Sequence, residues 1–215
     1  MPNLIILEEK EVKAKGLNQD NKVNLDKLNN YIFEEDYRNL NLINNIEVHF
    51  KNENITLLYP GCGVDILFPL FYLEKLFPKV NETKLIFIDV ENCLGTIKTI
   101  LDDLGISFKE NIKIFKKNEN EQISFYWNEK LIKLEFIHKN VGLLLDNLPN
   151  YNIYFEKAFR IMKDDITDYE DKIFTKLDQN GILISDSGFS NFPLKRIEVS
   201  EKLSSYKEMI IGIKQ

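Results

Sequence analysis

The sequence is poor in the residues that most often build metal centres and hydrolytic triads. It has 2 histidines, His49 and His138, and 2 cysteines, Cys62 and Cys93, among 215 residues. The histidines stand far apart, so few residues remain from which to assemble a zinc site or a Ser-His-Asp triad. The cysteines share no metal-ligand spacing, and we expect two free thiols in a reducing compartment. We therefore expect no bound metal.

A basic surface and a long apolar run are also missing. The formal net charge is -6, and nucleic acid is a disfavoured partner because phosphate contacts need clustered lysine and arginine. No apolar run reaches the roughly 18 to 20 residues that cross a bilayer. Within residues 1–10, a short apolar stretch is followed at once by charged residues, which is unlike a secretory signal. We expect a cytoplasmic protein with no membrane partner.

The first 52 residues differ in pattern from the rest of the chain. Between residues 24 and 45, apolar residues recur mostly at helical spacing, which predicts one or two amphipathic helices. No linker rich in proline, glycine or serine follows them. We therefore interpret residues 1–52 as an N-terminal helical cap, called the cap below, on an α/β domain of residues 53–215.

From residue 55 onward, strand-like and helix-like segments alternate. Strands are predicted at 55–59, 84–88, 112–115, 123–127, 131–137, 152–155, 181–185, 196–203 and 207–213, the last two as an antiparallel edge hairpin. Helices are predicted at 64–77, 94–104 and 168–177, with one or two helical turns at 141–148. Asn180-Gly181 is expected to end the helix at 168–177. Such alternation favours a parallel sheet covered by helices on both faces.

One loop is a candidate ligand site. The first strand of this domain is followed by Pro60-Gly61-Cys62-Gly63, where two glycines let the backbone turn sharply and approach a ligand closely. Asp89 ends the next strand, and a carboxylate there accepts hydrogen bonds from both hydroxyls of a ribose. A plain turn explains the glycines alone, and a helix cap explains Asp89 alone. Together they favour a ribose-bearing ligand.

These residues resemble a known superfamily. The stretch Leu57–Gly63, Asp89, the strand Tyr151–Phe155 and Gly181–Ile184 before a terminal hairpin resemble class I S-adenosylmethionine-dependent methyltransferases, over about residues 53–215. No subfamily is identified. The resemblance implies an α/β, Rossmann-like three-layer sandwich. Its mostly parallel sheet would have seven strands, with the last inserted antiparallel. It also implies that S-adenosylmethionine lies across the ends of the first two strands.

The resemblance also implies a role for each matching residue. Gly61 and Gly63 would line the methionine and ribose portion, Asp89 would hold the ribose, and Val90 would pack on the adenine. Where Tyr59 and Asp65 stand, the family usually has an acid and a third glycine, and we hypothesise that Asp65 supplies the missing carboxylate. Lys139 and Asn140 match the family's adenine-edge position. The predicted cofactor-binding residues are Tyr59, Gly61, Cys62, Gly63, Asp65, Asp89, Val90, Lys139 and Asn140.

The implied activity is methyl transfer to an unknown acceptor, either a small molecule or a protein. Transfer from a sulfonium mainly needs positioning and exclusion of water. Glu156 and Asp186 follow strand ends and are candidate catalytic bases or positioning groups, although helix caps and solvated charges are common there. Lys157 and Arg160 could bind an anionic substrate, although an exposed basic face is the commoner explanation.

Other functions stay open. The departures at Tyr59 and Asp65 favour a non-catalytic relative that binds a ligand or a protein through its cap or its hairpin. A donor such as decarboxylated adenosylmethionine is equally compatible with the residues. A dinucleotide site is disfavoured, because the third glycine of that fingerprint is missing from residues 61–66. The β-rich segment 111–137 could shape a substrate pocket or an oligomer contact, and the oligomeric state is left open.

Overall fold

The central strands are rich in β-branched and aromatic residues, which pack well on a pleated surface. The computed structural model describes residues 7–12, 23–46, 48, 54–113, 121–203 and 210–215. Its strands are β1 (Leu7–Val12), β2 (Asn54–Pro60), β3 (Glu82–Asp89), β4 (Phe108–Lys113), β5 (Glu121–Trp127), β6 (Lys130–His138), β7 (Tyr151–Glu156), β8 (Leu177–Ser185), β9 (Leu194–Ile197) and β10 (Ile210–Lys214). Its α-helices are α1 (Leu25–Leu28), α2 (Glu34–Asn39), α3 (Leu67–Leu76), α4 (Leu94–Asp103), α5 (Arg160–Asp164) and α6 (Tyr169–Lys176). Short 3-10 helices lie at Leu40–Asn45, Val141–Leu143, Leu145–Asn147 and Glu201–Leu203.

The strands form one mixed sheet in the order β1-β4-β5-β6-β3-β2-β7-β8-β10-β9. The pairs from β6 to β8 are parallel, and the pairs at both ends are antiparallel. The α/β, Rossmann-like class is confirmed. The prediction of a seven-stranded, mostly parallel sheet is wrong, since the described residues alone form a ten-stranded mixed sheet. The last strand, β10, does lie antiparallel between β8 and β9.

Three strands extend the sheet beyond β6. The predicted hairpin is confirmed as β5 and β6, with Trp127 opposite Lys130. Next to it lie β4 and β1, which pair from Leu7–Lys113 to Val12–Phe108. The sequence gives little sign of β1 because its six residues, LEEKEV, include four charges. A charged strand at a sheet edge resists pairing with other chains.

Side chains alternate between two cores along each central strand. Leu57 and Tyr59 of β2 face a core that includes α3, α4 and the buried cap residues Leu28 and Ile43. Leu58 faces the opposite core, which includes α6 and the 3-10 helices after β6. The cap therefore packs in the same layer as α3 and α4. The division of the chain into two domains near residue 52 stays a prediction.

Several predicted boundaries move. Asn180-Gly181 does not end a helix but lies inside β8, where Asn180 has φ of 62°. This wrong prediction has a local cause, because Asn-Gly commonly signals a turn. The strand predicted at 112–115 is β4, and residues 114–115 lie outside the described residues. The strand predicted at 207–213 is β10 (210–214), with 207–209 also outside them. In the part of the chain that is described, no helix has the length and apolarity to cross a membrane.

Candidate ligand site at the strand ends

The order in which the chain adds parallel strands to the sheet reverses at β2. From β2 the chain continues to β3 on one side, and it later returns as β7 on the other side. Ligands of open α/β sheets bind in the crevice beyond such a switch point. A cavity of about 530 Å³ opens here. Its lining residues are Asn30, Tyr31, Tyr59, Gly61, Cys62, Val64, Asp65, Ile66, Leu67, Phe68, Ile100, Lys157 and Ala158.

Gly61 and Gly63 both have left-handed backbone conformations but different surroundings. Gly61 has φ of 61°, and a Cβ atom on it would lie 2.0 Å from a ring carbon of Phe159. Gly63 has φ of 52°, and no atom lies within 4 Å of the place a Cβ would take. Gly61 is therefore required by packing inside the protein. Gly63 leaves open space beside the loop, which suits close approach of a ligand.

This difference predicts unequal effects of alanine at the two glycines. We expect Gly61→Ala to lower the free energy of unfolding by about 3 kcal/mol, from left-handed strain and from overpacking against Phe159. Gly63→Ala introduces only the left-handed strain and should lower the free energy of unfolding by about 1 to 2 kcal/mol. Urea unfolding followed by the fluorescence of Trp127, the single tryptophan, measures both. Equal losses for the two variants would contradict this account of the loop.

Asp89 connects the ends of β2 and β3. Its Oδ2 accepts a hydrogen bond from the Gly63 amide at 2.7 Å, and its Oδ1 accepts one from the Glu91 amide at 2.9 Å. The side chain is half-buried. Each carboxylate oxygen can accept a further hydrogen bond. The structure thus places two acceptor oxygens next to the open space at Gly63.

The residues predicted for the adenine side also come together. Val90 is 63% exposed, which is unusual for an apolar residue beside buried strands. His138, at the end of β6, lies with Nε2 2.8 Å from the Val90 carbonyl oxygen. Lys139 and Asn140 follow it and are exposed, and the Asn140 side chain accepts a hydrogen bond from the Gly142 amide. Their predicted contacts with adenine stay predictions.

Tyr59 and Asp65, the two departures from the family pattern, are hydrogen-bonded to each other. The Tyr59 hydroxyl donates to Asp65 Oδ2 at 2.9 Å, and the Phe68 amide donates to Asp65 Oδ1 at 3.1 Å. Burial raises the pKa of Asp65, and the Phe68 amide and nearby Lys157 partly offset this rise. The pair thus holds a carboxylate at the cavity wall, beside the end of β2.

Both cysteines are free, buried thiols, with Cys62 in this loop and Cys93 directly before α4. The Cys62 Sγ is 3.9 Å from the Ile88 carbonyl oxygen. Burial raises the pKa of Cys62 and of Cys93, and the charge of Asp89 adds to both rises. Protonated buried thiols are inert packing groups. Among the described residues, no cluster of three or more His, Cys, Asp or Glu could hold a metal ion.

Glu156 lies in the opposite core from the cavity. Its carboxylate is 1% exposed and accepts from Lys163 Nζ at 2.5 Å and from Ser185 Oγ at 2.6 Å. It also accepts from Tyr154, which packs in the core around α6. Burial raises the pKa of Glu156, while the Lys163 ammonium opposes the rise. The base role predicted for Glu156 stays a prediction that this arrangement does not favour.

Asp186 is connected to the cavity through the backbone of Ala158. Asp186 is 1% exposed, and its Oδ2 accepts from the Ala158 amide at 2.8 Å. Ala158 lines the cavity with φ of 57°, a conformation that residues other than glycine rarely adopt. Burial raises the pKa of Asp186, partly offset by this amide and by Lys157. The carboxylate therefore helps to hold the chain that follows β7.

The sequence did not reveal several residues that shape the cavity but lie far from the glycine loop along the chain. Tyr31 lines the cavity, and its hydroxyl donates to Asp103 at the end of α4. Lys27 also donates to Asp103, so the cap is fastened over the cavity. Helical spacing located the cap but gave no sign of which residue faces a ligand. None of the described residues of segment 111–137 lines this cavity, and the role suggested for the segment stays a prediction.

Comparison with known proteins adds little to this geometry. No protein-family model and no curated protein matches the sequence. Among solved structures, the chain is similar to precorrin 8W decarboxylase from Methanobacterium thermoautotrophicum, with 14% identity, a TM-score of 0.40 and coverage of 71% of this chain and 61% of the other. It is also similar to PKMT2 from Rickettsia typhi in complex with AdoHcy, with 14% identity, a TM-score of 0.38 and coverage of 72% and 24%.

A third similar structure is precorrin-6y C5,15-methyltransferase from Geobacter metallireducens. It has 10% identity and a TM-score of 0.42, with coverage of 84% of this chain and 87% of the other. The chain spans less than two thirds of the decarboxylase and about a quarter of PKMT2. Similarity this weak assigns no function to the chain.

Proposed function

We propose that the protein is an S-adenosylmethionine-dependent methyltransferase whose acceptor binds in the cavity between β2, β7 and the cap. The observation that carries this proposal is the junction of Gly63 and Asp89. It combines open space beside a left-handed glycine with a carboxylate that can accept from both hydroxyls of a ribose. The exposed Val90 beside Asp89 adds an apolar surface for a planar base.

The residues present fit this cofactor. Asp89 would hold the ribose, Gly63 would allow close approach, and Val90 with Lys139 and Asn140 would border the adenine. Asp65 would face the ammonium group of the methionine portion, since it lines the cavity beside the same loop. When bound, S-adenosylmethionine supplies an electrophilic methyl group, and the C–S bonding pair stays with sulfur as the acceptor's lone pair forms the new bond.

The protein's part in the reaction is to orient the acceptor and exclude water. Ile66, Leu67 and Ile100 give the cavity apolar walls, and Tyr31 of the cap closes another side. Asp186 positions the chain that follows β7 through the Ala158 amide. Asp186 adjoins the cavity through Ala158, whereas Glu156 lies in the opposite core, so Asp186 is the better candidate base where an acceptor must lose a proton.

An amide NMR titration with S-adenosylhomocysteine tests the proposal. We expect the Gly63 and Glu91 amide signals to shift, because both donate to Asp89. Gly63→Ala places a methyl group in the open space and should weaken binding about tenfold or more. Gly95→Ala is the matched control, since a Cβ there also meets no atom within 4 Å but the residue lies on α4 and takes no part in the hydrogen bonds of the Gly63–Asp89 junction. Binding unaffected by Gly63→Ala would contradict the proposed site.

A non-catalytic ligand-binding domain is the second candidate. It is favoured by one observation, namely that the Glu156 carboxylate is occupied by Lys163 and Ser185 and lies away from the cavity. This observation does not count against methyl transfer to an acceptor that needs no base. Binding of S-adenosylhomocysteine without methyl transfer to any acceptor offered would favour this candidate.

A further inference from the structure

Lys157 presents an ammonium group to the cavity at the end of β7. The side chain is half-buried, and its Nζ lies 3.3 Å from the centre of the Phe68 ring. The ring face attracts the cation and so fixes its position. Asp186 and the left-handed Ala158 hold the adjoining backbone. Lys157 is therefore a positioned cation rather than a freely moving surface lysine.

This cation lacks an acceptor. Within the described residues, no hydrogen bond or ion pair includes Lys157 Nζ, which lies over the face of the Phe68 ring. Asp65 and Asp186 are near enough to feel its charge, but neither forms an ion pair or a hydrogen bond with Lys157. An ammonium carries three donors, and partial burial without acceptors is unfavourable. The arrangement suits an anion supplied from outside the protein.

A smaller cavity of about 60 Å³ lies on the other side of Lys157. Lys157 and Phe68 line both cavities, so together they form the shared wall. Lys202 also lines the smaller cavity, and its ammonium likewise has no acceptor among the described residues. Among the described lining residues, Asp36 is the single carboxylate, and Asn39 adds an uncharged amide. Two cations against one anion give this cavity a positive balance.

We propose that Lys157 and Lys202 bind a carboxylate of the methyl acceptor at this shared wall, with the body of the acceptor in the larger cavity. The inference builds on the proposed function, since it names the chemical class of the acceptor as a small organic acid. The sequence alone left Lys157 as a choice between an anion site and a solvated basic face. The fixed position of the Lys157 ammonium over Phe68 and its lack of an acceptor favour the anion site.

The same chemistry has a second possible source, namely the carboxylate of the methionine portion of the cofactor. Substitution of each lysine distinguishes the two sources, because Lys202 lines only the smaller cavity. An acceptor carboxylate requires both lysines. A cofactor carboxylate in the larger cavity requires Lys157 alone.

The test is calorimetric binding of acetate and benzoate, each compared with its neutral amide, acetamide or benzamide. Titrations are made with and without saturating S-adenosylhomocysteine. We expect at least one anion to bind about tenfold more tightly than its amide. Lys157→Met and Lys202→Met should each abolish that preference. The control Lys195→Met, on exposed β9 outside both cavities, should keep it.

Equal binding of each anion and its amide would overturn the inference, as would a preference that survives both substitutions. Weaker binding of S-adenosylhomocysteine in Lys157→Met, with no anion preference in the unaltered protein, would assign the cation to the cofactor and also overturn it. Failure of S-adenosylhomocysteine to bind the unaltered protein would instead refute the proposed function. The titrations without that ligand would still decide whether the anion site exists.

Discussion

Replacing Lys163 with methionine is expected to lower the free energy of unfolding by about 3 to 5 kcal/mol. The Lys163 side chain is 2% exposed and lies 2.5 Å from Glu156 Oε1. It also donates to the Ser187 carbonyl oxygen at 2.7 Å and lies 3.2 Å from Glu170. Methionine keeps most of the volume but leaves the Glu156 carboxylate buried without its cation. An unpaired buried charge costs far more than a lost surface contact.

Two controls separate this mechanism from general loss of packing. Lys133→Met breaks the exposed pair with Glu82 (2.6 Å) and should cost no more than about 1 kcal/mol. Adding Glu156→Gln to Lys163→Met should recover part of the loss, because the buried charge is then gone. A loss below about 1 kcal/mol for Lys163→Met would contradict the account of this pair.

The loss in Lys163→Met should also depend on pH. Burial raises the pKa of Glu156 above its ordinary value even with Lys163 present, and removing the ammonium raises it further. Since the folded pKa exceeds the unfolded one, the folded state binds the proton more tightly, and stability falls as pH rises through the folded pKa. Urea unfolding of the variant should therefore show a smaller deficit at about pH 5 than at about pH 8.

Asp89→Ala is expected to weaken binding of S-adenosylhomocysteine about a hundredfold. Asp89 offers two acceptor oxygens at the ends of β2 and β3, and a hydrogen bond to a charged group contributes about 1.5 to 3 kcal/mol. Losing two such bonds to a ribose corresponds to at least two orders of magnitude in the dissociation constant. The substitution also frees the Gly63 and Glu91 amides that Asp89 accepts from. Calorimetry on folded variants measures the change.

The control for Asp89→Ala is the neighbouring acid Glu91. Its amide takes part in the junction, but no hydrogen bond or ion pair in the described residues includes its side chain. Glu91→Ala should therefore bind S-adenosylhomocysteine within about twofold of the unaltered protein. Asp89→Asn keeps one acceptor oxygen and should fall between the two. Binding by Asp89→Ala within about threefold of the unaltered protein would remove Asp89 from the site.

The sequence was enough to locate the loop and the acid because both signals are local. Gly61 and Gly63 form a turn after an apolar strand, and Asp89 ends the next apolar strand. Parallel pairing of β2 with β3 then brings their ends together. The sequence did not distinguish the glycines, because Gly61 is set by Phe159, which lies almost a hundred residues later in the chain.

The buried polar network and the sheet extension depend on long-range contacts that no local pattern reports. Lys163 follows Glu156 by seven residues in a segment rich in charge, which resembles a solvated face until α5 folds back over β7. The charged strand β1 gains its place only by pairing with β4, a hundred residues later. Lys157, for which the sequence left an anion site and an exposed basic face open, likewise acquires its position from Phe68 on α3.

The most direct test of the central claim is a calorimetric titration of the unaltered protein with S-adenosylhomocysteine, with NAD as the control ligand. The open space at Gly63 and the paired acceptors of Asp89 predict saturable binding of S-adenosylhomocysteine. Binding of NAD is not expected, because the third glycine of the dinucleotide fingerprint is missing from this loop. No binding of S-adenosylhomocysteine, or equal binding of the two ligands, would contradict the claim that this loop is an S-adenosylmethionine site.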